Sequence, residues 1–298
     1  MLEAVERQIE HYINDLEDAD ARQLYSRLPA GKRLRARLIL TIAGSGLSAV
    51  KTAAIVEMIH AASLLHDDVI DDAYTRRGRP SINALYGNKT SIMFGDVLYS
   101  KAFYELVDID RQVARSIANA VVLLSLGERQ DVLLSESFNP DRDAYLKMIY
   151  QKTAALIEAA AESAAILAGK DREAYRTYGR NLGIAFQMID DILDITQSAE
   201  ALGKPAMHDF EEGKTTLPYI YLYEALDEPD RKRLLAMHRQ PVTGENAEWI
   251  RERMARTGAL ERARDEAKAL IEEAIALMRR EGEPELEALA MKMIERNY

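Results

Sequence analysis

The sequence contains no cysteine, one tryptophan, five histidines and only eight prolines among 298 residues. Without cysteine there is no disulfide framework and no thiolate metal centre, which is compatible with a reducing cytoplasm. Five histidines leave little material for an imidazole-based metal site. Eight prolines and fifteen glycines interrupt the chain rarely, so long elements are expected. Excess positive charge is also missing: the formal net charge is -10, without the basic footprint of a nucleic-acid binder. No run of about 18 apolar residues stands out, so no membrane-spanning segment is expected. The opening MLEAVERQIEHYI is amphipathic, unlike a basic-then-apolar leader. Nothing alternates with period two, which argues against sheet.

What the chain has in quantity is Ala, Leu, Glu, Arg, Ile and Met, the residues that favour helix, with 48% hydrophobic residues to build a large core. Breaks at Gly44-Ser45-Gly46, Gly78-Arg79-Pro80, Asn139-Pro140, Gly203-Lys204-Pro205, Glu228-Pro229, Gln240-Pro241 and Gly282-Glu283-Pro284 punctuate the pattern. They predict helices over 2–17, 19–43, 48–72, 81–106, 110–137, 141–168, 171–197, 215–226, 229–238, 244–256, 258–281 and 284–297. The fold class is all-α. With short loops and no Pro- or Ser/Gly-rich linker, residues 1–298 are expected to form a single domain of antiparallel helices.

The segment SLLHDDVIDDAYTRRGRP places Asp67, Asp68, Asp71 and Asp72 just ahead of Arg76, Arg77 and Arg79. An acidic run is most often a solvated surface. Here, however, it ends a stretch, AAIVEMIHAASLLH, that is almost wholly apolar or small, and buried carboxylates need partners. The pattern is echoed in QMIDDILDI, which carries Asp190, Asp191 and Asp194 on a second apolar helix. Residues i and i+4 share a helical face, so Asp67 with Asp71 and Asp190 with Asp194 are like-charge pairs about 6 Å apart along the axis. Repeating that repulsion on two helices implies a counter-ion, and an oxygen-only donor set suits Mg²⁺. Two such clusters facing each other would describe a metal-bridged diphosphate site. Cations to grip the phosphates are available in GKRLR (Lys32, Arg35), TRRGRP (Arg76, Arg77), QKT (Lys152), LGKP (Lys204) and EGKTT (Lys214).

The ordered set GKRLR, HAASLLHDDVIDDAYTRRGRPSIN, GD at 95–96, QKTAAL, FQMIDDILD, LGKP and EGKTTLP resembles the trans-type isoprenyl diphosphate synthases over about residues 31–220. That resemblance implies helices around a deep central cavity, a homodimer, and head-to-tail joining of isopentenyl diphosphate to an allylic diphosphate with Mg²⁺. By motif it assigns Asp67, Asp68 and Asp71 to a first metal cluster and Asp190, Asp191 and Asp194 to a second, Asp190 being the foremost direct ligand. Arg76, Lys152, Lys204, Lys214 and Gln187 correspond to the allylic diphosphate grip, and Lys32, Arg35, His60 and Arg77 to the metal-free isopentenyl diphosphate pocket. Thr153 and Gln187 are expected to turn oxygen dipoles, and Phe186 a ring face, toward an allylic cation. His66, adjacent to the aspartates, is read as a residue that supports them or packs rather than as a ligand. Ala36 stands where the family commonly has proline, so the first helices are expected to pack differently.

Growth of the product beside the first acidic helix makes the preceding turns its floor. The helical wheel points to Ser63 and the resemblance to Ala62; both are small, which predicts a long all-trans product of roughly hexaprenyl to octaprenyl size, suited to a quinone tail. Short- or medium-chain synthesis, a class I terpene cyclase, a metal phosphohydrolase around His66-Asp67 and a non-catalytic subunit of a heteromeric synthase are the rival readings. The expected setting is cytoplasmic, with transient membrane contact at product release.

Overall fold

The computed structural model describes residues 1–29, 31–196 and 207–295, with side chains as far as residue 292. These residues are helical throughout except for one short hairpin and the connecting loops. In chain order the elements are α1 (Leu2–Asn14), α2 (Ala19–Arg27), α3 (Leu34–Ala43), α4 (Leu47–Ile70), β1 (Thr75–Arg76), β2 (Arg79–Pro80), α5 (Ile82–Tyr86), α6 (Asn88–Leu106), α7 (Arg111–Leu134), α8 (Arg142–Ile149), a π-helical turn (Tyr150–Ala154), α9 (Ala155–Ala168), α10 (Arg172–Thr196), α11 (His208–Glu211), α12 (Leu217–Ala225), α13 (Glu228–Met237), α14 (Glu245–Thr257), α15 (Ala259–Glu281) and α16 (Pro284–Glu295).

The chain resolves into two compact units, the first made of Met1–Val121 and Leu156–Arg176, the second of Val122–Ala155 and Thr177–Tyr298. In unit 1, α4 is the central helix and packs against α1, α3 and α6. Its residues from Thr52 to Ile59 are all buried, so it is apolar on every side. By length and composition α4 could cross a bilayer, contrary to the expectation from sequence, yet 67% of its apolar window is buried within the fold. That degree of burial, with two aspartates in its last turn, marks it as a core helix. In unit 2 the corresponding centre is α12, whose residues 217–222 are all buried and which packs on α8, α14 and α15.

The structure corrects several sequence-based boundaries. The segment 19–43 is two helices, because Pro29 disfavours helix at Leu28 and Arg33 takes a left-handed conformation with φ 51°. The segment 81–106 breaks at Gly87, which has φ 84°. The hairpin was not expected: its strands pair Thr75 with Pro80 and Arg76 with Arg79, too few residues for any alternation to show.

Candidate active site

In unit 1 the first aspartate motif closes α4. Asp67 is half-buried, Asp68 is buried, and Asp71 is the exposed C-cap. Carboxylates here meet the negative end of the helix dipole, an unfavourable placement that a cation relieves. Asp68 Oδ1 accepts a hydrogen bond from Arg76 Nε at 2.6 Å, and Arg76 Nη2 is equally near. Burial pushes the Asp68 pKa up, with Arg76 opposing the shift. Asn83 Nδ2 donates to the carbonyls of Asp68 at 2.9 Å and Ala73 at 3.1 Å, tying the chain that leads from the motif into the hairpin.

The hairpin turns through Arg77 and Gly78, at φ 53° and 72°, the primed turn type that matches strand twist. A left-handed conformation at a non-glycine residue costs about 1–2 kcal/mol, so Arg77 is held against a backbone preference. Arg77 Nη1 lies 3.3 Å from the point a Cβ on Gly31 would occupy. Glycine at 31 therefore lets the GKRLR segment and the arginine turn approach each other.

His60 reports the charge of this region. Burial, then Arg35, Arg77, Arg76 and Arg33, drive its pKa well below the ordinary imidazole value, so the ring is neutral at pH 7. Arg33 is partnered by Glu6 at 2.7 Å and Glu57 at 3.4 Å. Among the described residues Arg35 Nε is buried without a hydrogen-bond acceptor, and burial pushes the Arg35 pKa down. Lys32 is exposed on the segment between α2 and α3. The result is a cluster of positive charge around His60 whose complement is an anion. Further back on α4, Ala62 is fully buried and Ser63 nearly so, with Ser63 Oγ donating to the His60 carbonyl at 2.9 Å. His66 Nε2 lies 3.1 Å from the Ile92 carbonyl and 3.4 Å from Asp96 Oδ1, and its ring occupies the space a Cβ on Gly95 would need.

Unit 2 contains a cavity of about 120 Å³ whose walls include Lys152, Thr153, Gln187, Asp191 and Lys214. Lys152 and Thr153 stand on the π-helical turn, a distortion often found where a helix presents functional side chains. Lys152 Nζ lies 2.5 Å from Asp131 Oδ2 and 2.9 Å from Glu128 Oε2. Burial works against the ammonium, but these two carboxylates outweigh it and hold the pKa above the ordinary lysine value. Thr153 Oγ1 donates to Gln187 Oε1 at 2.8 Å, and Gln187 Nε2 donates to Asp191 Oδ1 at 2.9 Å. Tyr145 donates its hydroxyl to Asp191 Oδ2 at 2.6 Å. Asp191 is pushed up to about 7, first by burial and then by Asp209, with Asp190 adding to it.

Asp190 is exposed, whereas Asp191 and Asp194 are buried. Asp194 Oδ2 accepts from the backbone N–H of Asp209 at 3.2 Å, and the Asp209 carbonyl in turn accepts from the N–H of Lys214 at 2.8 Å. Lys214 Nζ lies 2.7 Å from Glu212. Phe186 is half-buried on α10 and, among the described residues, is not one of those that line the cavity. Lys204 lies outside the described residues.

Sequence reasoning missed Glu128, Asp131, Tyr145 and Asp209. The signal for the first two was an acidic pair three residues apart in GERQD, which puts both on one helical face. Burial of that face could not be read from the pattern. Among the described residues no three His, Asp or Glu side chains are gathered into a metal cluster. A divalent cation nonetheless fits the donors: they are carboxylate oxygens at the ends of helices, and Asp191 is already penalised by its crowded acidic neighbours.

The fold is all-α, with aspartates near the ends of α4 and α10 and lysines lining a cavity in unit 2. The polyprenyl synthetase family model matches residues 21–254. The octaprenyl diphosphate synthase of Haemophilus influenzae is 35% identical over 283 residues, 90% of this chain and 85% of that protein. The short chain isoprenyl diphosphate synthase of Methanothermobacter thermautotrophicus is 37% identical over 219 residues, 70% of this chain and 67% of that one. The crystal structure of octaprenyl pyrophosphate synthase from Helicobacter pylori superposes with a TM-score of 0.93 at 43% identity, covering 98% of each chain. The chain belongs to the polyprenyl synthetase family.

Proposed function

We propose that this chain joins isopentenyl diphosphate head to tail to an allylic diphosphate and repeats the step to make a long all-trans polyprenyl diphosphate, a precursor suited to a quinone side chain. The observation that carries the reading is the wall of the unit 2 cavity, where Lys152 and Lys214 accompany Thr153, Gln187 and Asp191.

In that cavity Lys152, kept charged by Asp131 and Glu128, and Lys214 bind the allylic diphosphate; Lys204 belongs to the same grip by motif. Arg76, which pairs with Asp68 in unit 1, is assigned to the allylic diphosphate by motif alone. Charge on the diphosphate rises as the allylic C–O bond breaks, so cations fixed beforehand stabilise the transition state more than the ground state. Thr153 has spent its hydroxyl proton on Gln187. What it offers the cavity is therefore lone-pair density, suited to an allylic carbocation. Isopentenyl diphosphate takes the arginine-rich pocket of unit 1, where Arg35, Arg77 and Lys32 supply charge and neutral His60 a hydrogen-bonding ring nitrogen. Its double bond attacks the cation, and a proton is lost to the released diphosphate.

Asp67, Asp68 and Asp71 in unit 1 and Asp190, Asp191 and Asp194 in unit 2 are the carboxylates we assign to holding Mg²⁺. When bound, the ion adds positive charge to the departing diphosphate. Residues 1–298 act as one synthase domain in this reading, in a cytoplasmic homodimer; Ile92, Met93 and Tyr104, exposed along α6, supply apolar surface for a second copy. The octaprenyl relatives support the long product, and the small residues at 62 and 63 agree with it.

Incubation with Mg²⁺, isopentenyl diphosphate and farnesyl diphosphate, followed by chromatography of the dephosphorylated products, tests the reading. Products of about six to eight isoprene units are expected. A folded protein that makes no polyprenol, alone or as its dimer, would overturn it.

A further inference from the structure

The strongest feature that the proposed chemistry leaves unused is the turn at the end of α13. His238 is its C-cap and Arg239 follows with a left-handed φ of 60°. Neither residue lines the cavity, yet each is bonded to a segment that does. His238 Nε2 lies 2.8 Å from the carbonyl of Gly213, the residue before Lys214. Burial, helped by neighbouring Arg239, keeps this imidazole below its ordinary pKa, so at pH 7 it is a neutral ring whose Nε2–H donates to that carbonyl. Arg239 Nη1 donates to the carbonyls of Ser135 at 3.3 Å and Glu136 at 3.2 Å, just past the end of α7 that carries Glu128 and Asp131. The Arg239 backbone N–H donates to the Phe210 carbonyl at 3.3 Å.

The fit around Gly213 is close. It has φ 94°, and a Cβ there would lie 2.4 Å from the Ser135 carbonyl oxygen and 3.0 Å from Arg239 Cγ. The His238 ring is also fixed from its sides, edge-on to Phe210 at 5.2 Å and to Phe138 at 5.5 Å between centroids. At its other end the Asp209–Lys214 stretch is anchored to the second aspartate motif through the Asp209 N–H on Asp194.

We propose that His238 and Arg239 form a clamp that positions the Gly213-Lys214 loop and the end of α7 against the cavity, so that the affinity for the allylic diphosphate depends on two residues remote from it. They are positioning residues, acting through Lys214 and through the segment that holds Lys152. The proposal rests on the assignment of Lys214 to the allylic diphosphate. It places a determinant of substrate affinity in a stretch, MHRQP, where the sequence offers no motif.

Steady-state assays of the full-length enzyme with Mg²⁺, farnesyl diphosphate and isopentenyl diphosphate test it. His238→Phe keeps the ring packing and removes the donor; His238→Gln restores a donor; Arg239→Met removes the second tie at an exposed position; Lys214→Ala is the reference. His238→Phe and Arg239→Met should each raise KM for farnesyl diphosphate about fivefold, the equivalent of one lost hydrogen bond. KM for isopentenyl diphosphate and kcat should stay within about twofold, and His238→Gln should recover most of the loss. Unfolding followed through Trp249 provides the stability readout. The clamp is overturned if Lys214→Ala raises KM for farnesyl diphosphate while His238→Phe and Arg239→Met do not. It is equally overturned if the variants lower the melting temperature and all kinetic constants shift together. Should Lys214→Ala itself leave that KM unchanged, the assignment of Lys214 fails, and the clamp with it.

Discussion

Ala36 stands where a proline is common in the family, and its backbone N–H is in use: it donates to Glu57 Oε1 at 3.0 Å. Glu57 is buried, and Arg33 is its other partner. A proline at 36 suits the geometry of a first helical turn but removes that donor. Ala36→Pro should therefore destabilise the protein by about 1.5–3 kcal/mol, the range for a hydrogen bond to a charged group. Denaturant unfolding checks this, and an unchanged midpoint would show that Glu57 finds another donor. His60 gives a pH dependence whose sign follows from its depressed pKa. Between the folded pKa and about 6.5 the unfolded chain binds a proton that the native state refuses, so stability falls with pH by up to about 1.4 kcal/mol per unit. It is fully present above pH 6.5. The melting-temperature difference between wild type and His60→Asn should shift in favour of the variant between pH 7.5 and pH 5; a constant difference would refute it. Thr153→Val keeps the side-chain shape and deletes the oxygen facing the cavity. Its expected effect is a fall in kcat of about 10²-fold, comparable to losing one electrostatic stabiliser, with both KM values nearly unchanged.

At the scale of elements, glycines decide how closely the helices that bear the site can approach. A Cβ on Gly127 of α7 would lie 2.3 Å from the backbone nitrogen of Lys152 and 2.7 Å from the Gln151 carbonyl carbon. The π-helical turn is thus pressed directly onto α7, which brings Lys152 to Asp131 and Glu128. Backbone cannot yield as a side-chain tip can, so Gly127→Ala should destabilise by about 1–3 kcal/mol and lower kcat/KM by displacing Lys152. A crystal structure of the variant that left the Lys152–Asp131 contact intact would refute the second half of that prediction. Gly95 plays the same part in unit 1, where its missing Cβ admits the His66 ring. These contacts explain what could be read in advance. The aspartate motifs stood out because charge on an apolar helix is anomalous, whereas GKRLR, QKT and EGKTT look like ordinary surface charge taken singly and were picked out only in combination and by the family resemblance. Glu128 and Asp131 were not, because an acidic pair on α7 looks the same exposed as buried until the neighbouring turn is known. The hairpin escaped because two-residue strands have no period, although Arg77-Gly78 had the composition of a tight turn.

The property of the whole molecule that the sequence addresses most directly is how long a product it releases, and α4 bears on it. Counting back from Asp67, Ser63 lies about 6 Å lower on the helix at 1.5 Å per residue, with Ala62 beside it. Next come Ile59, Met58 and Ile55, all large and fully buried. The two small residues therefore form the first level at which a ring could close off space beneath the first aspartate motif. Ala62 is completely enclosed, so Ala62→Phe must displace its neighbours, at a cost of about 1–3 kcal/mol. Ser63→Phe replaces a hydroxyl that bonds the His60 carbonyl of its own helix, a smaller loss. If the growing chain passes this level, both rings should shorten the product by one or more isoprene units while turnover of the first condensation persists. Ala62→Val, which adds volume without a ring, should shorten it less. Chromatography of the prenyl alcohols measures all three. Unchanged lengths in both ring variants, with the proteins folded and active, would mean that the chain grows past a different face of α4 and that 62 and 63 are small only because the core is tight there.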